Sequence, residues 1–263
     1  MKHKLLIGLL MTSSLVFTGC FGVRGETYPN SDKYTVGNVT YQGTLSDISA
    51  SWISGKLNIV EVEKSDEIII HEDTNLTYED ELVHSLYEDG KLDVRYCASG
   101  YRFRNNLTYK KELTLKYAKY VDKLAVALTS GDLRANTLTN KDVNIAMTSG
   151  SVIIDEIESE KINAAITSGS FLVGMVETDT FNFAMTSGNA EVNFMEVDEA
   201  KLKGTSGIFD IKIPEEGATV TIKKTTGSIK INREYTKDGN KYVFGNGSAK
   251  IAIEVTSGKV TIS

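Results

Sequence analysis

Proline, cysteine, histidine and tryptophan are all scarce in this chain of 263 residues, at two, two, three and one. Two prolines leave little to interrupt strands, because proline removes a ladder donor and is confined to strand edges and bulges. No stretch repeats its apolar residues every 3.6 positions over three turns, which argues against an all-α fold. Only Tyr78 to Leu86 could form a short helix. The cysteines are Cys20 and Cys97, too few for a disulfide framework once Cys20 is modified. His71 and His84 are too far apart in sequence for a recognisable metal spacing. No Gly-x-Ser-x-Gly elbow marks a hydrolase. The formal charge of −6 argues against nucleic acid as a partner. Past the N-terminus, no apolar run reaches the roughly 20 residues of a spanning helix.

The N-terminus reads as an export signal. Lys2, His3 and Lys4 are followed by a mostly apolar run from Leu5 to Phe17, too short to span a bilayer stably. Phe17-Thr18-Gly19-Cys20 resembles a bacterial lipobox, with cleavage before Cys20 and a diacylglycerol on its sulfur. Residues 1–19 are then a lipoprotein signal peptide and Cys20 is the lipid attachment residue. The alternative is an ordinary secretory signal cleaved elsewhere. Losing Lys2 and Lys4 moves the charge from −6 to −8. Residues 20–40, broken by Gly22, Gly25, Pro29 and Gly37, read as a flexible tether.

What the chain does have is a beat. Thr-Ser-Gly recurs with its glycine at 131, 150, 169, 188 and 207, steps of 19 residues. Gly227, Gly247 and Gly258 continue it more loosely. A fixed period in this range marks a repeat architecture. Two residues after each glycine come Leu133, Val152, Phe171, Ala190, Phe209, Ile229 and Ala249. Four after come Ala135, Ile154, Val173, Val192, Ile211, Ile231 and Ile251. A second strand carries Val143, Ile162, Phe181 and Ala200, then Ile145, Ala164, Phe183 and Leu202, with Met147, Ile166 and Met185 in three coils. Alternate residues of a strand share a face, so each coil has two inward-facing strands joined by two corners. An odd period cannot keep strict alternation, so the phase slips once per coil, at a glycine that accepts positive φ. The threonines are expected on the outside of the corners and the serines on the inside.

The first half follows the same grammar less regularly. Gly55 precedes Leu57 and Ile59, then Ile68 and Ile70, and Gly90 precedes Leu92 and Val94. The fold class is all-β: a single-domain β-solenoid over residues 41–263, with regular coils from 124 and an irregular, tyrosine-rich N-terminal portion that caps the stack.

Tyr34-Thr35-Val36-Gly37, the run from Ser51 to Ile59 and the Thr-Ser-Gly ladder together resemble the bacterial putative-adhesin family, over roughly residues 34–263. The resemblance implies a β-solenoid domain of unknown function, often carried by lipoproteins or membrane proteins. It supplies no catalytic residue, cofactor or metal ligand.

Several constellations remain. Glu158, Glu177, Glu196 and Glu215 stand eight residues after successive glycines, with Glu160, Asp179 and Asp198 two further on. They form a carboxylate edge, read as solvated or as a ladder for a hard cation. Arg95, Tyr96, Tyr101, Arg102, Phe103, Arg104, Tyr109, Lys110 and Lys111 form a basic and aromatic stretch, read as a half-buried hairpin or as a surface for an anionic polymer. Cys97 could be a free thiol made acidic by nearby arginines. These features point to a non-enzymatic, lipid-anchored envelope protein that presents a repetitive surface to a wall polymer, glycan or envelope protein. The alternatives are an accessory component of envelope-stress signalling and a polysaccharide-active β-helix enzyme.

Overall fold

The computed structural model describes residues 25–103 and 110–263. Its strands in chain order are β1 (Thr35–Val36), β2 (Val39–Gln42), β3 (Asp47–Val62), β4 (Glu67–Thr74), β5 (His84–Glu88), β6 (Lys91–Arg95) and β7 (Lys111–Ala118). They continue as β8 (Lys123–Leu138), β9 (Asp142–Lys212), β10 (Gly217–Lys224), β11 (Ser228–Ile231), β12 (Thr236–Asp238), β13 (Lys241–Gly245) and β14 (Ala249–Ile262). The chain is a β-solenoid. β9 alone winds through the corners at Gly150, Gly169, Gly188 and Gly207. β8 pairs with it in parallel at the 19-residue register, Gly131 beside Gly150.

Each coil contributes one strand before its corner glycine and one after, making two facing walls. The first wall runs β1-β5-β6-β3-β8-β9-β14-β10-β13-β12. The second runs β2-β4-β7-β3-β8-β9-β14-β11, from the same pairings. All the regular columns read from the β8 and β9 sequence are buried between these walls. The phase slip is where the period requires it: Met147 and Val152, five positions apart, both point inward.

The corner glycines are set by close approach. A Cβ on Gly169 would fall inside 3.0 Å of the Gly150 carbonyl oxygen, and its φ is +126°. On Gly207 a Cβ would lie 2.6 Å from the Gly188 oxygen. Rungs therefore stack backbone on backbone at the corner, with no room for a side chain. The corner serines are not inside, as the periodicity suggested. Ser149, Ser168, Ser187 and Ser206 are exposed, because the phase slip turns the whole Thr-Ser-Gly segment outward.

Both ends of the solenoid depart from sequence order. Gly258 stacks on Gly207, and Ser228 pairs with Lys259, so β14 lies between the coil of Gly207 and the strand after Gly227. The order in space is 207, 258, 227. Gly247 is no rung at all: its amide closes a turn onto the Phe244 carbonyl. Ile251 accordingly faces Ala200 in the first wall, and is not in the column after the glycines. At the other end β3 is the first full rung, with Gly55 beside Gly131. The chain then builds β4, β6 and β7 on its far side before returning to β8. Gly90 is likewise a hairpin glycine, joining β5 and β6 through Asp89 and Gly90, both at positive φ. That is the signature of a tight two-residue loop. Tyr78 to Leu86 is a short 3-10 turn, Glu79–Glu81, running into β5.

The flexible tether is shorter than the sequence suggested. Residues 25–40 are packed on the domain. The Gly25 amide bonds to the Tyr101 carbonyl at 2.7 Å, the Tyr28 hydroxyl to the Cys97 carbonyl at 3.0 Å, and β1 pairs with β5. Glycine and proline here shape a strap. Cys20 and the signal segment lie outside the described residues.

A core column missed from the sequence plugs the second corner. Leu138, Ile157 and Val176 repeat at 19 residues and are buried. Gly204 interrupts the column of Met147, Ile166 and Met185, and the ring of Phe209 fills its place.

Candidate functional site

The outward side of the first wall carries the most regular surface. Between its inward residues stand three outward columns. Asn144, Asn163 and Asn182 form one, Ala127, Ala146, Ala165 and Ala184 the next, and Thr148, Thr167, Thr186 and Thr205 the third. The asparagines bond along the stack: Asn163 Nδ2 donates to Asn144 Oδ1 at 3.0 Å, and Asn182 Nδ2 to Asn163 Oδ1 at 3.2 Å. Alanine is shorter than either neighbour, so the middle column is the floor of a trough. One stretch encloses about 740 Å³ from Ala146 to Lys223 and Glu254. A second, of about 420 Å³, runs from Ala146 to Arg95 and Glu26. The two grooves adjoin at Ala146 along the stack; threonine hydroxyls line the larger one, and Asn144, Ser51, Arg95 and Glu26 line the smaller.

The carboxylate edge forms a smaller groove of its own. Glu158, Glu160, Glu177, Asp179, Glu196 and Asp198 line a groove of about 370 Å³ with Lys141 and Tyr120. Glu215 is not in that groove, because the chain turns away from the ladder after Ile213. Arg233 bonds to the carbonyls of Ile213, Pro214 and Glu215 there. Among the described residues no three His, Cys, Asp or Glu side chains converge as a metal site.

The basic and aromatic stretch is not one surface. Tyr96 and Phe103 are buried. Arg95 is engaged by Asp93 through Nε at 3.0 Å and Nη2 at 2.9 Å, and by Glu26 through Nη1 at 2.9 Å. Lys110 pairs with Asp73. Lys111 is fully buried against Glu72, donates to the Glu81 carbonyl at 2.6 Å, and lies over the rings of Tyr96 and Trp52 at 4.6 and 5.4 Å. Burial lowers the Lys111 pKa, and the Glu72 carboxylate works against that shift. Arg102 is exposed, while Arg104 and Tyr109 lie outside the described residues.

Cys97 is not an activated thiol. It is buried under the strap, and burial pushes its pKa to about 12 despite the nearby Lys111. A thiol reagent such as DTNB at pH 8 is therefore expected to leave native Cys97 unmodified and to label it on unfolding; rapid labelling of native protein would contradict this. The sign of the pH dependence follows. A folded pKa above the ordinary thiol value of 9.0 stabilises fully below about pH 9, and that contribution is lost as pH rises toward 12. Alkaline titration of the thermal midpoint should fall across that interval, and less in Cys97→Ala.

Sequence reasoning missed the trough and the Lys111–Glu72 pair. The asparagine column was visible at its 19-residue spacing. Nothing in sequence links residues 72 and 111, which meet only because β4 pairs antiparallel with β7.

A model of the Toastrack DUF4097 family matches residues 37–263. The chain belongs to that family. Among solved structures, a Bacteroides fragilis protein described as a "putative adhesin" has a TM-score of 0.51 at 12% identity, covering 87% of this chain and 97% of that one. A protein of the same description from Parabacteroides merdae scores 0.48 at 16% identity, with 88% and 96% covered. A "putative cell adhesion protein" from Clostridium sporogenes scores 0.41 at 14%, with 87% and 99% covered. No curated protein matches. At such identities the likeness to the Bacteroides fragilis protein is one of fold, and the Toastrack family match over residues 37–263 supports the same architecture.

Proposed function

We propose that this Toastrack protein is a non-enzymatic binding module of the bacterial cell envelope, held to the membrane by a lipid on Cys20 and presenting the first-wall trough to a linear glycan. The trough is the observation that carries the reading. Its alanine and threonine columns repeat at the rung spacing of about 4.8 Å, a regular ladder that suits a polymer of repeating units. Threonine hydroxyls and Asn144 beside an alanine floor, with Lys203, Lys223 and Glu254 at one end and Arg95 and Glu26 at the other, suit the polyol edges and CH faces of sugars. The description of the Bacteroides fragilis structure agrees with a binding role.

Two measurements test the parts separately. Ala165→Arg places a long side chain across the middle of the floor. Glycan-array binding should be lost, with stability changed by no more than about 0.5 kcal/mol as for other surface substitutions. Unaltered binding would remove the trough from the reading. For the anchor, labelling with an azido fatty acid should vanish in Cys20→Ala, and equal labelling of that variant would exclude Cys20.

A further inference from the structure

The N-terminal end of the trough is filled by the chain itself. Glu26 Oε2 accepts hydrogen bonds from Arg95 Nη1 at 2.9 Å and from Ser51 Oγ at 2.9 Å, where the 420 Å³ stretch ends. We propose that Arg95 and Ser51 form a carboxylate-binding subsite for an acidic glycan, and that Glu26 on the strap occupies it as a built-in competitor. The inference rests on the trough being a glycan-binding face.

The two partners of Glu26 belong to the sheet, and Glu26 belongs to the strap laid over it. Arg95 stands on β6, its other edge held by Asp93, its guanidinium 5.4 Å from the centre of the Tyr28 ring. Ser51 belongs to the first full rung. Glu26 is the more exposed member of its pair, 46% against 22% for Arg95. It sits outside any strand, on a strap held by the Gly25 amide, the Gly100 amide and Tyr28. A preset arginine fork with a neighbouring hydroxyl favours a carboxylate, since both supply donors in fixed directions. A uronate in a chain lying along the trough would bring its carboxylate to this end and its hydroxyls to the asparagine and threonine columns.

The test titrates the mature chain with tetragalacturonate and with chitotetraose by calorimetry. Glu26→Gln should bind tetragalacturonate about tenfold more tightly than the unaltered protein, the scale of one charge-assisted contact, and chitotetraose equally. Arg95→Met added to Glu26→Gln should abolish the gain. Gly25→Val lifts the strap with Glu26 intact, because its Cβ would fall 2.5 Å from Cys97 Sγ. It should show the same gain and make Cys97 reactive to DTNB. Chitotetraose binding with no gain for tetragalacturonate in either variant would overturn the subsite and leave the trough standing. Failure of both sugars on every variant would remove both.

Discussion

Gly169→Val is expected to abolish folding of the solenoid or to lower its stability by more than about 4 kcal/mol, a large part of the 5–15 kcal/mol typical of a domain. Two costs coincide there. The valine Cβ would fall inside 3.0 Å of the Gly150 carbonyl oxygen, and the backbone has φ +126°, which a β-branched residue does not adopt. The neighbouring rung cannot yield, because the obstructing atom is backbone and belongs to an equally crowded corner. Since each rung is held only by its neighbours, the break should split the stack into two unequal parts. Gly239→Ala is the control. Its φ is +58°, nothing lies within 4 Å of the added Cβ, and the expected loss is about 1 kcal/mol. Urea denaturation of the two variants should separate them widely, and similar midpoints would mean that the glycine column is not close-packed.

Glu72→Ala carries the second large effect. It would leave the Lys111 ammonium buried without its ion-pair partner, among two aromatic rings, the Glu81 carbonyl and the more distant Glu81 carboxylate, at a cost of about 3–5 kcal/mol. Glu72→Leu combined with Lys111→Met should recover most of that loss, because it removes both desolvation costs together. The pH dependence has a definite sign. Burial holds the folded Lys111 pKa below 10.5, so between the two values the unfolded chain binds more protons. The stability deficit of Glu72→Ala relative to the unaltered protein should therefore shrink as pH approaches 10.5, whatever both proteins lose through Cys97. A pH-independent difference between the two proteins would show that Lys111 escapes to water when Glu72 is removed.

The middle of the solenoid was legible because one physical constraint writes itself into every coil. From Gly131 to Gly207 an odd period forces one phase slip, the slip needs a residue without a side chain, and the apolar columns follow on either side. The ends were not legible, for an equally physical reason. Periodicity records that a strand fits a rung, not which rung it fits. The strands around Ile229, Ile231 and Ile251 carry the right alternation for any position in the stack, and β14 inserts between coils that sequence order makes adjacent. The strap was misread because Gly25 and Pro29 mark irregular backbone, which can be packed as well as loose. Gly25 is glycine because Cys97 Sγ and the Ala98 carbonyl lie against it. Of the candidate surface, the alanine and asparagine columns stood in the sequence at regular spacing. The Glu26–Arg95–Ser51 contact did not, since its members come from three separate segments.

Stacking of the final rungs is most directly tested by paired cysteines at the exposed corners. Ser206 and Ser257 are register partners on adjacent rungs, about 4.8 Å apart, within disulfide range. Ser206 and Thr226 are nearest in sequence order but two rungs apart in space, about 10 Å, beyond it. Mild oxidation should bridge Ser206→Cys to Ser257→Cys, read as an intramolecular crosslink by mass spectrometry, and leave Ser206→Cys with Thr226→Cys unbridged. A bridge in the second pair and none in the first would mean that the rungs follow the sequence and that the described stack is wrong.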